Sequence, residues 1–165
     1  FHPYLLGERA PHWDPLLRGD FLGLTMKHGR GHLVRSLYEG IAMSLCDVLG
    51  EFRAQDLNMR EALIIGGGSR SATWRQIVAD VTNTRVILPV RTDASVGVAL
   101  LAGVAAGLFP DERSARGVAV TAIAVHEPDE SRHAHYAEIY ALYRDSAARL
   151  RDINHGLSAF ERRTL

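Results

Sequence analysis

The stretch Ala62-Leu63-Ile64-Ile65-Gly66-Gly67-Gly68 constrains this chain more than any other. Four apolar residues in a row make a short buried strand and are too few for a helix. Three glycines break the run. Ser69 to Asn83 follows, with Trp74, Ile77, Val78 and Val81 at helical spacing. Arg85-Val86-Ile87-Leu88-Pro89-Val90 supplies a second apolar strand, and Ser95 to Leu108 a helix after it. Strand, helix, strand, helix with short links is the grammar of parallel strands in a covered sheet.

The flanks are read by the same rules. Residues 1–20 are rich in Pro, His and Trp and read as loop, because each proline removes a donor and pushes its neighbour out of the helical region. Phe21 to Leu24 reads as a short strand and Gly29-Arg30-Gly31 as a turn. A helix is expected from His32 to Ala54, buried along Leu33, Leu37, Ile41, Leu45, Val48 and Phe52. The uncharged run Ala94 to Pro110 is shorter than the roughly 20 residues a membrane span needs. Asp93 and Asp111 close it, so it is expected to be a buried helix. Val118 to Val125 reads as an edge strand or an extended linker. Ser131 to Asn154 is a last helix with Tyr136, Tyr140, Tyr143, Ala147, Leu150 and Ile153 in one stripe. The residues after Gly156 are expected to be loosely ordered, giving a domain over residues 1–157 and a tail over 158–165.

Composition narrows the function. The chain has 165 residues, 47% hydrophobic and 23% charged, as expected for one globular domain. Acids and bases balance at 19 each, so no field favours nucleic acid or an anionic membrane. A single cysteine, Cys46, cannot form an internal disulfide and fits a reducing, cytoplasmic setting. The opening Phe1-His2-Pro3 has neither Met nor a leader pattern and reads as a piece of a longer protein.

The glycine turn is the strongest chemical signal. Glycines between a strand end and a helix start let a phosphate or a flat ring approach the backbone beside free N–H groups. A plain tight turn capped by Ser69 or Ser71 is the competing reading. The segment is no Walker A loop, since Gly-x-x-x-x-Gly-Lys-Ser/Thr is absent. Gly66-x-Gly68-x-x-Ser71 approaches a dinucleotide fingerprint, but no acid follows until Asp93, leaving Arg91 to meet a 2′-phosphate. The pairs His28/His32 and His133/His135 lack a third ligand, and no metal site is expected. Cys46 within an apolar stripe reads as an inert thiol. Asp93 reads as a first-turn carboxylate on the helix that follows.

Four stretches together resemble the C-terminal domain of FGGY-family carbohydrate kinases. They are Pro3-Tyr4-Leu5-Leu6-Gly7-Glu8-Arg9-Ala10-Pro11 with Asp14-Pro15 and Arg18-Gly19; Gly19-x-Phe21-x-Gly23-Leu24 with His32-Leu33-x-x-Ser36-Leu37-Tyr38-Glu39; Gly66-Gly67-Gly68-Ser69-Arg70-Ser71-x-x-Trp74-Arg75-Gln76-x-x-Ala79-Asp80; and Asp93-Ala94-Ser95-Val96-Gly97-Val98-Ala99. Xylulose kinase-like members are the most similar, glycerol kinases more distant. Leu37 departs from the commoner smaller or branched residue.

The resemblance implies an α/β fold of the actin-like, ribonuclease H-like ATPase class, with a mixed sheet and flanking helices. The chain would be the C-terminal half of a two-domain sugar kinase. It also implies ATP and Mg²⁺ as cofactors, a small-molecule sugar as substrate (xylulose or a related pentulose, polyol or aldonate) and an N-terminal kinase domain as partner, with a homodimer left open. Gly66, Gly67, Gly68 and Ser71 match the nucleotide-contacting positions. The catalytic Asp of the family lies upstream of the matched stretches, so no catalytic residue is expected in this chain. Two other readings stand beside it: an NADP-binding Rossmann-type fragment, and a non-catalytic helical interaction module presenting the Tyr136–Ile153 face.

Overall fold

The computed structural model describes residues 1–119 and 121–164. Helix α1 (Arg30–Ala54) leads to strand β1 (Glu61–Leu63), a 3₁₀ turn (Gly67–Arg70), helix α2 (Ala72–Thr82) and strand β2 (Arg85–Pro89). Helices α3 (Ser95–Ala105) and α4 (Glu112–Ala119), strand β3 (Ala122–His126) and helix α5 (Glu130–Thr164) complete the chain. The sheet order is β1-β2-β3. β1 and β2 are parallel, with Leu63 opposite Ile87, and β3 returns antiparallel, with Val86 opposite His126. The sheet is therefore mixed, as the family resemblance implies, and not wholly parallel. Val118 to Val125 resolves into the end of α4 and the start of β3, while Val120 lies outside the described residues.

Helix α2 is the structural centre. Ser71 Oγ accepts from Trp74 N and caps its start, and Asn83 in the left-handed region ends it. Seven of its eleven residues are buried, because α1, β2 and α5 all pack against it. Its Asp80, 2% exposed, accepts from Gln76 Nε2 at 2.8 Å and from Asp129 N at 3.0 Å and pairs with Arg132 at 3.2 Å. A buried carboxylate is tolerated only when satisfied in this way. Here it pins the start of α5 to α2.

Several expectations are corrected. Phe21 to Leu24 is not a strand: Gly23 sits at φ +75, which breaks an extended path, and no neighbouring strand pairs with the segment among the described residues. Arg30 already belongs to α1, so the turn at Gly29–Gly31 shrinks to Gly29 as the cap. The buried face of α1 is Gly40, Ala42, Met43 and Cys46. The expected stripe is partly turned outward, with Ile41, Leu45 and Phe52 exposed. β1 is an edge strand with Leu63 exposed. In α3 only Gly103 is buried; Val98 and Leu101 are 69% and 61% exposed, so it is not the buried helix its composition suggests. Nor are the residues after Gly156 loose, because α5 runs on to Thr164.

The length of α5 has a cause in the first loop. Asp14 Oδ2 accepts from His155 Nε2 at 2.8 Å, and Arg18 Nη2 donates to Ser158 Oγ at 2.8 Å. His2 bridges Asp20 to the Tyr143 carbonyl. Burial disfavours the charged Asp14, but hydrogen bonds from His155 and Leu16 N outweigh it and hold its carboxyl below the ordinary 3.8. A carboxylate held low contributes stability that is present above its unfolded value and lost as pH falls through the folded one. Asp14→Ala should lower stability by about 1 kcal/mol at pH 7 and speed amide exchange over residues 155–162. The difference from the parent should shrink as pH falls below 3.8 and through the lowered folded value. Equal melting points and exchange at pH 7 would contradict the latch.

Candidate nucleotide site at the glycine turn

The turn is assembled by backbone geometry first. Gly66 has φ 82 and ψ −173, a region open essentially to glycine alone. Its N–H donates to the Thr92 carbonyl at 3.0 Å, tying the end of β1 to the segment after β2. Ser69 is 1% exposed, and its hydroxyl donates to the Gly66 carbonyl at 2.6 Å.

The three glycines have three different reasons. Gly66 is required by its backbone angles. At Gly68 a Cβ would press on Trp74 Nε1 at 3.1 Å. Gly67 has an ordinary φ, and a Cβ built on it meets no atom within 4 Å. The positive φ of the turn thus belongs to Gly66 and not to Gly67. Nothing in the fold demands a glycine at 67, and its outer side is open surface. Ser71 takes the capping role of the competing reading, accepting from Trp74 N at 3.2 Å. Its own hydroxyl hydrogen has no protein acceptor among the described residues. Gly66, Gly67, Gly68 and Ser71 therefore lie on one continuous turn.

Arg75 was not singled out by sequence reasoning. It lies on α2 and is 8% exposed, yet it carries a charge. Its Nη1 donates to the Ser69 carbonyl and its Nε to His126 Nε2 at 3.0 Å. An arginine inside an otherwise apolar helix face was the only available signal.

The remaining candidates have structural roles. Asp93 Oδ1 accepts from Ser95 N at 2.7 Å at the start of α3, and hydrogen bonds to Ser95 hold its carboxyl below the ordinary value. His28 and His32 accept from the backbone N–H of Thr25 and Gly29. Among the described residues no cluster of three or more His, Cys, Asp or Glu could hold a metal ion. Burial pushes the Cys46 thiol up to about 12, leaving it un-ionised and unreactive at neutral pH. Tyr136 donates to Glu39 at 2.9 Å and Tyr140 to Asp47 at 2.6 Å, so the tyrosine stripe joins α5 to α1 and is no free partner surface. A cavity of about 760 Å³ lies at the opposite end of the strands, beside Arg53, Arg60 and Arg85. Arg53 there donates to the Thr82 carbonyl at the C-terminus of α2, the ordinary use of a cation at a helix end. Among the described residues no helix is long and apolar enough to cross a membrane.

The sequence profile of the C-terminal domain of the FGGY family of carbohydrate kinases matches residues 1–106. The chain belongs to the FGGY family of carbohydrate kinases. A xylulose kinase of Bacillus subtilis strain 168 is 32% identical over 163 residues, covering 98% of this chain and 33% of its own. The crystal structure of gluconate kinase from Lactobacillus acidophilus superposes with a TM-score of 0.78 at 30% identity over 90% of this chain and 30% of its own. That of xylulose kinase from Rhodospirillum rubrum gives 0.78 at 28% over 93% of this chain and 31% of its own. The chain thus spans about a third of the length of the relatives it matches. The fold is that of the FGGY C-terminal domain, in the actin-like, ribonuclease H-like class. This displaces the Rossmann-type reading. The antiparallel β3 beside β2 likewise departs from a run of parallel strands, and Arg91 is left on the exposed segment after β2.

If each glycine is held for the reason given, stability separates them. Gly66→Ala should cost roughly 1–3 kcal/mol from its backbone angles. Gly67→Ala should be within about 0.5 kcal/mol of the parent, and Ser71→Ala should cost about 1 kcal/mol as a lost cap. Denaturant midpoints check the order. A Gly67→Ala change as damaging as Gly66→Ala would show that the fold, and nothing outside it, needs Gly67.

Proposed function

We propose that the chain forms the ATP-binding, C-terminal part of a sugar kinase that transfers the γ-phosphate of ATP to a hydroxyl of a small carbohydrate. Xylulose or a related pentulose, polyol or aldonate is the acceptor class. The observation that carries this is Gly67: an omitted side chain that backbone and packing do not require, on a turn at the C-terminal end of a parallel strand. A nucleotide's flat base and ribose can lie against such a surface, with Ser71 able to donate a hydrogen bond from its free hydroxyl hydrogen. In α/β sheets ligands sit outside the carboxyl ends of the strands, which is where Gly66–Gly68 lie.

The chemistry divides between this chain and the rest of the enzyme. The sugar hydroxyl gives its proton to an aspartate carboxylate in a segment upstream of those matched here. Its oxygen bonds to the γ-phosphorus, and the bond to the β,γ-bridging oxygen breaks to release ADP. Mg²⁺ would be held by the phosphates of ATP and would offset their charge, and no ligand to it is assigned in this chain. The glycine turn fixes the adenosine end and so holds the triphosphate in line. The domain extends over residues 1–157 together with the last turns of α5, and an N-terminal domain supplies the opposite wall of the cleft. The outward apolar residues of α1 and α3, among them Ile41, Leu45, Val98 and Leu101, suit burial against the remainder of such an enzyme. Cytoplasmic operation fits one buried, unpaired cysteine.

In the whole kinase, Gly67→Val should raise the ATP KM at least about tenfold, while the melting temperature and the sugar affinity measured without nucleotide stay near the parent's. An unchanged ATP KM in the stably folded variant would remove the assignment. The 165-residue chain alone should give no sugar-dependent ADP with ATP, Mg²⁺ and a panel of pentuloses, polyols and aldonates. Turnover by it would place a base within the chain.

A further inference from the structure

The buried arginine of α2 and the histidine of β3 belong to neither the capping of α2 nor the apolar core. Arg75 Nε donates to His126 Nε2 at 3.0 Å, and a guanidinium can only donate. Nε2 must therefore be bare. His126 Nδ1 lies 3.0 Å from Gln76 Oε1, and Gln76 Nε2 donates to Asp80 Oδ1 at 2.8 Å and to the Glu127 carbonyl at 2.9 Å. Carboxylate and carbonyl oxygens only accept, so the Gln76 amide is fixed with its oxygen toward the ring. His126 Nδ1 therefore carries the proton. The ring is held as one neutral tautomer, and a second proton on Nε2 would face the Arg75 cation. At its other end Arg75 donates from Nη1 to the carbonyl of Ser69, inside the 3₁₀ turn that contains Gly67 and Gly68.

We infer that Arg75 and His126 are positioning residues for the glycine turn: neutral His126 holds the guanidinium against Ser69, and protonating His126 releases the turn and weakens nucleotide binding. This deepens the nucleotide reading and rests on it. Burial and then the charge of Arg75 lower the His126 pKa below the ordinary 6.5, while Asp80 works in the opposite direction. The other charged groups nearby are engaged elsewhere. Glu127 pairs with Arg85 of β2 at 3.0 Å, Arg132 of α5 with Asp80 and Asp129, and His133 Nδ1 donates to the Asp80 carbonyl. A histidine held neutral stabilises its arrangement fully above 6.5 and progressively less as pH falls through the lowered folded value. The window is thus the acid side of 6.5.

The test compares the whole kinase with its His126→Gln and Arg75→Lys variants. A glutamine side chain on β3 can keep an acceptor for Arg75 and cannot titrate, whereas a lysine on α2 loses the planar fork that reaches both Ser69 and His126. In the parent, the ATP KM should rise about tenfold between pH 7.5 and 5.5 with the sugar KM flat, the size expected when one charge-assisted hydrogen bond is lost. His126→Gln should match the parent at pH 7.5 and lose most of that rise. Arg75→Lys should show a raised ATP KM at both pH values, together with faster amide exchange over residues 67–71 in the nucleotide-free protein. A His126→Gln variant that keeps the parent's full pH dependence overturns the role of His126. An Arg75→Lys variant with unchanged ATP KM and unchanged exchange overturns that of Arg75. Faster exchange in Arg75→Lys, with no ATP binding by the parent, overturns the nucleotide reading and leaves the tie between Arg75 and the turn standing.

Discussion

The backbone at Gly66 is the constraint on which the arrangement around the site depends. With φ 82 and ψ −173 the chain leaves β1, turns through Gly67–Arg70 and enters α2 at the Ser71 cap. A side chain at 66 would oppose that path. The path in turn brings α2 back across the sheet, so β2 can lie parallel to β1. Ser69 is then buried where Arg75 can reach its carbonyl, and the outer side of Gly67 stays open. One glycine-only residue thus links sheet topology, burial of the central helix and exposure of the candidate site.

Around this turn, much was legible in the sequence. The strand–glycine–helix–strand unit stands where its apolar spacing puts it, because α2 and β2 bury their apolar residues within this chain: Ile77, Val78, Val81 and Val86 are all in the core. Sequence patterns mislead wherever burial depends on surfaces this chain does not provide. Leu63, Val98 and Leu101 carry the composition of buried residues and are exposed. In α1 periodicity points to the larger apolar residues, whereas the buried face includes small ones, Gly40 and Ala42, and Phe1 lies where a Gly40 side chain would stand. Helix α4 went unread because it offers few apolar residues; Asp111 starts it by accepting from Ser114 N at 2.7 Å. The last turns of α5 depend on Asp14 and Arg18, 141 and 140 residues from their partners in sequence, and no local pattern announces such contacts.

The site shows the same division. Three glycines and Ser71 are visible as a motif, but the distinct reason for each glycine is not, since it depends on one backbone angle and one tryptophan ring. Arg75 is harder still: its partners lie in the 3₁₀ turn and on β3, 51 residues away in the case of His126. The stretch that carries the family resemblance therefore contains both the proposed nucleotide surface and Arg75, which is hydrogen-bonded to the Ser69 carbonyl behind it.

A crystal structure of the whole kinase with a non-hydrolysable ATP analogue and Mg²⁺ would show what lies against the outer side of Gly67. The adenosine moiety should lie in van der Waals contact with Gly67, within about 4 Å of its Cα, with a Ser71 hydroxyl hydrogen bond to the nucleotide. Clear density for the analogue elsewhere, with Gly67 still facing open solvent, would contradict that placement.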